Sequence, residues 1–105
     1  MMMLFQLIMF PTGRHGESVS TDVAKVIDII DKSGLPYKLT PMCTIIEGEW
    51  EPVMKVINKA RLMLRRKGHG RIYISITVDD RKGTRRRITG KIESIEKKLK
   101  REVSK

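Results

Sequence analysis

The run Leu4-Phe5-Gln6-Leu7-Ile8-Met9-Phe10 constrains this chain more than any other segment. Gln6 is its only polar residue, and Pro11 and Gly13 close it. A short apolar run bounded by turn formers reads as a buried strand. Alternation places Phe5, Leu7 and Met9 on one side and Leu4, Gln6, Ile8 and Phe10 on the other. Both sides are largely apolar, so both need cover. Helices supply one cover, and the other asks for something a lone chain does not provide. The segment Met1–Phe10 lacks a basic flank and is too short to cross a bilayer, and Pro11-Thr12-Gly13-Arg14 follows where a small-residue cleavage site would stand. It is therefore read as a strand, not as a leader or a membrane span. A length of 105 residues, 40% hydrophobic and 32% charged, fits one folded domain spanning 1–105 and excludes wholesale disorder.

The rest of the chain punctuates itself. Ser18-Val19-Ser20-Thr21-Asp22 offers N-cap residues, and Val23, Val26, Ile27 and Ile30 follow at helical spacing. Ser33-Gly34 stops that helix, with Gly34 as the left-handed residue. Tyr37–Met42 reads as a strand that Pro41 confines to an edge or bends, and Thr44–Glu49 as another. In the latter, Gly48 marks a bulge or a close approach of a ligand. Glu51-Pro52 opens a second helix with stripe Val53, Val56, Ile57, Ala60 and Leu64, and Gly68 ends it. Arg71–Asp80 alternates, with Ile72, Ile74, Ile76 and Val78 on one face. Ile88, Ile92, Ile95 and Leu99 give a third helix after a basic loop. The order β-α-β-β-α-β-α predicts an α+β fold, the ferredoxin-like βαββαβ sandwich over a body of residues 3–80, with an extra C-terminal helix. Its uncovered sheet face would show Leu4, Ile8, Phe10 and Tyr73, a patch that points to sheet-to-sheet dimerisation or higher assembly. The alternative is that the third helix folds back over that face.

The net charge of +10 is uneven. Residues 1–80 hold eleven Lys or Arg against nine Asp or Glu, whereas residues 81–105 hold eleven against three. The basic loop and terminal helix, 81–105, therefore carry most of the excess. Nucleic-acid binding through that region is the alternative function. It is disfavoured, because a ferredoxin-like RNA platform needs exposed aromatics, and the strand Arg71–Asp80 offers only Tyr73.

Chemistry-bearing patterns are sparse. His15 and His69 are the only histidines, and Cys43 is the only cysteine, so no metal-ligand spacing and no intrachain disulfide exist. A lone cysteine accords with cytoplasmic surroundings. No Walker or dinucleotide glycine pattern is present. The richest stretch is Thr40-Pro41-Met42-Cys43-Thr44-Ile45-Ile46-Glu47-Gly48-Glu49-Trp50. Glu47 sits on a strand side shared with Ile45 and asks for a partner: the amino group of an aminopyrimidine, a cationic ring, or a Lys or Arg.

These residues resemble those of the small thiamine-binding protein family (YkoF-like). The resemblance runs from about Leu4 to Leu99 and rests on Pro11-x-Gly13, Ser18-Val19-Ser20, Ser33-Gly34-Leu35-x-Tyr37 and Thr40-Pro41-Met42-x-Thr44-x-Ile46-Glu47-Gly48-Glu49-Trp50. Arg71, Asp80-Arg81 and Lys91 complete it. It implies a ferredoxin-like subunit that forms dimers through open sheet faces, or tetramers. It also implies non-catalytic binding of thiamine or its hydroxymethylpyrimidine moiety, with no catalytic residue; no metal, cofactor or membrane insertion is expected of the chain. The ligand-binding positions it carries over are Ser18, Ser20, Thr44 and Glu47. Cys43 and Arg14-His15 depart from the pattern, which favours glycine and small residues there.

Overall fold

Seven elements follow one another: β1 (Met3–Pro11), α1 (Val19–Lys32), β2 (Tyr37–Leu39), β3 (Thr44–Gly48), α2 (Trp50–Arg66), β4 (Ile72–Asp79) and α3 (Arg87–Leu99). The computed structural model describes residues 3–13, 19–82 and 87–103, with Arg87, Thr89 and Gly90 by backbone alone. The strands form one antiparallel sheet in the order β2-β3-β1-β4. This is the ferredoxin-like arrangement that the element order predicts, with α3 appended.

β1 lies between two neighbours, as its two apolar faces require. Phe5, Leu7 and Met9 of β1 and Ile46 of β3 face the helices and meet Val26 and Ile30 of α1 and Val53, Ile57, Ala60 and Leu64 of α2. The 3.6-residue stripes of both helices and the two-residue alternation of the strands thus converge on one core. Ile72, Ile74, Ile76 and Val78 pack at its border. Gly34 ends α1 at φ +80°, the left-handed conformation expected of it.

Two local expectations are corrected. The strand predicted to run from Tyr37 to Met42 stops at Leu39. There Thr40 takes over: its N–H donates to the Cys43 carbonyl, and its Oγ1 accepts from the N–H groups of Met42 and Cys43. A hydroxyl that binds its own neighbouring backbone competes with the ladder and makes a turn. Gly48 pairs in regular register with Met3, so it marks no bulge. A Cβ there would stand 2.8 Å from Val53 Cγ2 and 3.4 Å from Leu35 Cδ2, so the missing side chain is what lets α2 close on the sheet.

The second sheet face carries Leu4, Gln6, Ile8 and Phe10 of β1, Ile45 and Glu47 of β3, and Tyr73, Ser75, Thr77 and Asp79 of β4, in register. Phe10 and Tyr73 pair at a centroid distance of 5.0 Å, with Tyr73 exposed. α3 reaches this face at its opposite end only. The Ile88 N–H donates to Glu47 Oε1 at 3.2 Å, and Lys91 Nζ meets Asp79 Oδ2 at 2.6 Å. Both anchors stand in the row Leu4–Glu47–Asp79. The helix therefore covers the beginning of the face and leaves the aromatic pair bare.

Candidate functional site

The stretch Thr40–Trp50, compact in sequence, is divided by the fold. β3 separates its two ends, and at about 3.3 Å per residue they stand some 15 Å apart. Thr40, Pro41, Met42, Cys43 and Thr44 line one cavity, whereas Glu49 and Trp50 line a separate groove.

The cavity has a volume of about 280 Å³. Its origin is a mismatch of strand lengths: β1 has nine residues and β3 has five. Their ladder ends at Leu7↔Thr44, and the chain turns away through Thr40–Cys43. Beyond Leu7, β1 keeps β4 on one side and faces the cavity on the other. Leu7, Ile8, Met9 and Phe10 form one wall, Val23, Val26 and Ile27 of α1 another, and the hairpin tip a third. Residues from both sheet faces contribute because the gap passes beside the strand edge. A strand edge presents N–H and C=O groups in alternation, which can pair with the donor–acceptor edge of a planar heterocycle. Thr44 is buried, and the Thr40 hydroxyl lies 3.4 Å from Cys43 Sγ.

The predicted site residues distribute as follows. Thr44 lines the cavity. Ser20 stands on the first turn of α1, three residues before the cavity residue Val23 and so on the same helical face. Ser18 lies outside the described residues, as do Arg14 and His15, where the sequence departs from the family pattern. Glu47 is buried but points to the other sheet face, where it caps the amino end of α3. An acceptor there satisfies one of the donors a helix start leaves open. The structure thus sets Ser20 one helical turn before the cavity that Thr44 lines and sends Glu47 to the other sheet face. Sequence reasoning missed the edge of β1 and the α1 wall, because the two strands it read, Leu4–Phe10 and Thr44–Glu49, are nearly equal in length.

A second polar cluster ties α1 to the α2–β4 loop. Buried Asp22 receives Lys67 Nζ at 2.7 Å and His69 Nε2 at 3.2 Å. The Lys67 hydrogen bond is the main force holding the Asp22 carboxyl below its ordinary value, assisted by the His69 bond and both nearby charges and opposed by burial. His69 Nδ1 is buried without a partner.

Residues 5–96 match the family described as thiamine-binding protein. The UPF0045 protein YqgV of Bacillus subtilis is 34% identical over 102 residues, covering 93% of this chain and 98% of that one. A UPF0045 protein of Methanothermobacter thermautotrophicus is 27% identical over 99 residues, covering 93% and 100%. Among solved structures, a hypothetical protein of Methanocaldococcus jannaschii superposes with a TM-score of 0.78 at 26% identity, covering 90% of this chain and 95% of that one. A Thermotoga maritima protein, described as a candidate thiamine biosynthesis/salvage protein, superposes with a TM-score of 0.77 at 20% identity, covering 90% and 98%. The latter likeness is one of fold. No helix among the described residues is long and apolar enough to cross a membrane.

Proposed function

The chain belongs to the thiamine-binding protein family, and from that membership we propose that it reversibly binds thiamine or its hydroxymethylpyrimidine moiety, without chemistry on it, in the cavity beside β1. The observation that supports this reading is the coincidence of three features at one place: a strand edge unpaired among the described residues, apolar walls and flanking hydroxyls. A volume of about 280 Å³ falls near the bottom of the range of small-molecule sites, about 300–1,000 Å³, and suits a single substituted six-membered ring. The β1 edge and the Thr44 hydroxyl hold the pyrimidine edge, and Ser20 stands at the mouth. Glu47, assigned to α3, is left out of the ring contacts. A chain of net charge +10 repels a cationic ligand at long range, so affinity comes from ring contacts and hydrogen bonds, not from steering. We also place the protein in the cytoplasm as a homo-oligomer. The bare Phe10–Tyr73 end of the sheet supports association.

Ligand-dependent thermal stabilisation tests the reading. At a hundredfold excess over Kd, thiamine or hydroxymethylpyrimidine is expected to add about 2.7 kcal/mol, a rise in Tm of roughly 10 °C or more. Thr44→Val keeps the side-chain shape and removes the hydroxyl, and it is expected to shrink the rise at a given ligand concentration by more than half. Glu47→Gln is expected to leave the rise intact. The absence of any shift at millimolar ligand contradicts the proposal.

A further inference from the structure

The pairing of β1 leaves Met9 with a backbone donor and a backbone acceptor that neither neighbouring strand uses. In an antiparallel pair every second residue exchanges both backbone bonds with its opposite number, and the residues between turn theirs to the other side. The Thr12 N–H donates to the Arg71 carbonyl, one step beyond the pair Pro11↔Ile72. Even-numbered residues of β1, Ile8 and Phe10 among them, therefore spend their N–H and C=O groups on β4. Odd-numbered residues turn theirs toward β3. The far side of β3 agrees. The Glu47 N–H donates to the Pro36 carbonyl, so Glu47 and Ile45 point to β2 while Ile46 and Thr44 point to β1. Leu7 thus exchanges its bonds with Thr44, on the last rung of that ladder.

The next rung is missing. In the same register Met9 would face Met42, but Met42 is 81% exposed and gives its N–H to Thr40 Oγ1. Among the described residues the Met9 N–H and C=O have no partner, and they open on the cavity that Met9 lines. Pro11, the next odd-numbered residue, has no N–H to offer. The free edge is therefore one residue deep, a donor beside an acceptor, with a closed rung before it and a proline after it. An added peptide strand needs a run of such positions, which the proline interrupts. A flat ring needs one.

We propose that the Met9 backbone is the specificity element of this cavity and that it selects rings with an amidine edge, a ring nitrogen next to an amino group. The Met9 N–H donates to the ring nitrogen, and the amino N–H donates to the Met9 carbonyl. The 4-aminopyrimidine ring of hydroxymethylpyrimidine has such an edge, so the inference rests on the ligand reading above and names what the site reads. Main-chain recognition also leaves the Met9 side chain to the core, where it is buried. A ring without the amino group leaves the Met9 carbonyl unpaired among the apolar walls, which is the costly case for a polar group.

The test follows the backbone of the isotope-labelled full chain by magnetic resonance. The probes are hydroxymethylpyrimidine and its analogue lacking the amino group. With hydroxymethylpyrimidine, the Met9 amide proton and carbonyl carbon are expected to shift saturably, and exchange of the Met9 amide with solvent to slow at least about tenfold. The analogue is expected to bind at least about tenfold more weakly and to leave the Met9 carbonyl unmoved. Saturable shifts at Thr44, Val23 and Val26 with Met9 unmoved overturn the inference and leave the ligand reading standing. Equal affinity for the two probes does the same. A Met9 amide that exchanges as slowly as that of Leu7 before any probe is added shows the edge already filled, by this chain or by a second copy, and likewise overturns the inference alone. No saturable shift anywhere at millimolar hydroxymethylpyrimidine overturns the inference and the ligand reading together.

Discussion

Replacing Phe5 with alanine is expected to destabilise the fold by about 3–5 kcal/mol, the range for truncating a buried aromatic. Phe5 is fully buried at the centre of the sheet. It pairs across β1 with Ile46 on one side and Val78 on the other, and its ring contacts Trp50 at the start of α2. Removing it opens a cavity between three strands and a helix that hydrogen-bonded neighbours on both sides prevent from collapsing. A domain of this size has about 5–15 kcal/mol in total, so the variant is expected to stand at the limit of folding. Urea unfolding followed by Trp50 emission measures this as a fall in midpoint at unchanged slope. A loss below about 1 kcal/mol would show that Phe5 does not occupy the core position described. Leu39→Ala, at an exposed site on the edge strand, serves as the contrast, with an expected change within about 0.5 kcal/mol.

The second large effect concerns Asp22. Asp22→Ala removes the partner of Lys67 and of His69 Nε2, leaving a buried imidazole with no partner on either nitrogen. Leaving a buried polar group unsatisfied costs about 1–3 kcal/mol. The pH dependence follows from the direction of the Asp22 shift. Its folded pKa lies below the ordinary 3.8, so the folded state binds the proton less tightly than the unfolded state. The stabilisation is therefore complete above the ordinary value and is lost as pH falls through the lower folded value. Wild-type stability, measured by urea at pH 7, 5 and 3, is expected to drop toward the acid end, and Asp22→Asn to be weaker at neutral pH with a shallower acid decline. Parallel curves for the two proteins would remove Asp22 from the account.

What was legible in the sequence was what depends on local periodicity. The stripe Val53–Ile57–Ala60–Leu64 and the alternation Ile72–Ile74–Ile76–Val78 predicted their elements and their buried faces, because one side of each had to leave water. Gly34 predicted its own conformation. The end of β2 was less legible, because the Thr40 hydroxyl competes with the ladder at a residue whose type is also common in strands. The cavity beside β1 was not legible from the Thr40–Trp50 stretch. It depends on where β3 stops pairing with β1, and half of its wall comes from α1 and from β1 residues read only as core or as a bare sheet face. Glu47 illustrates the same limit. Its need for a partner was evident, but the partner is a backbone N–H 41 positions away on a helix whose docking no local pattern encodes. The basic excess after residue 80 pointed toward phosphates, whereas the structure sets part of it on an amphipathic helix beside exposed Ile95 and Leu99.

The central claim is that one heterocyclic ring enters the cavity beside the free edge of β1. Backbone amide shifts of the isotope-labelled full chain, recorded while hydroxymethylpyrimidine is added, test it most directly. The account predicts saturable changes concentrated at Leu7–Phe10, Thr40–Thr44 and Val23–Ile27, with Glu47 and Ile88 little affected. Saturable changes centred on Glu47 and α3, or none at millimolar ligand, would contradict it.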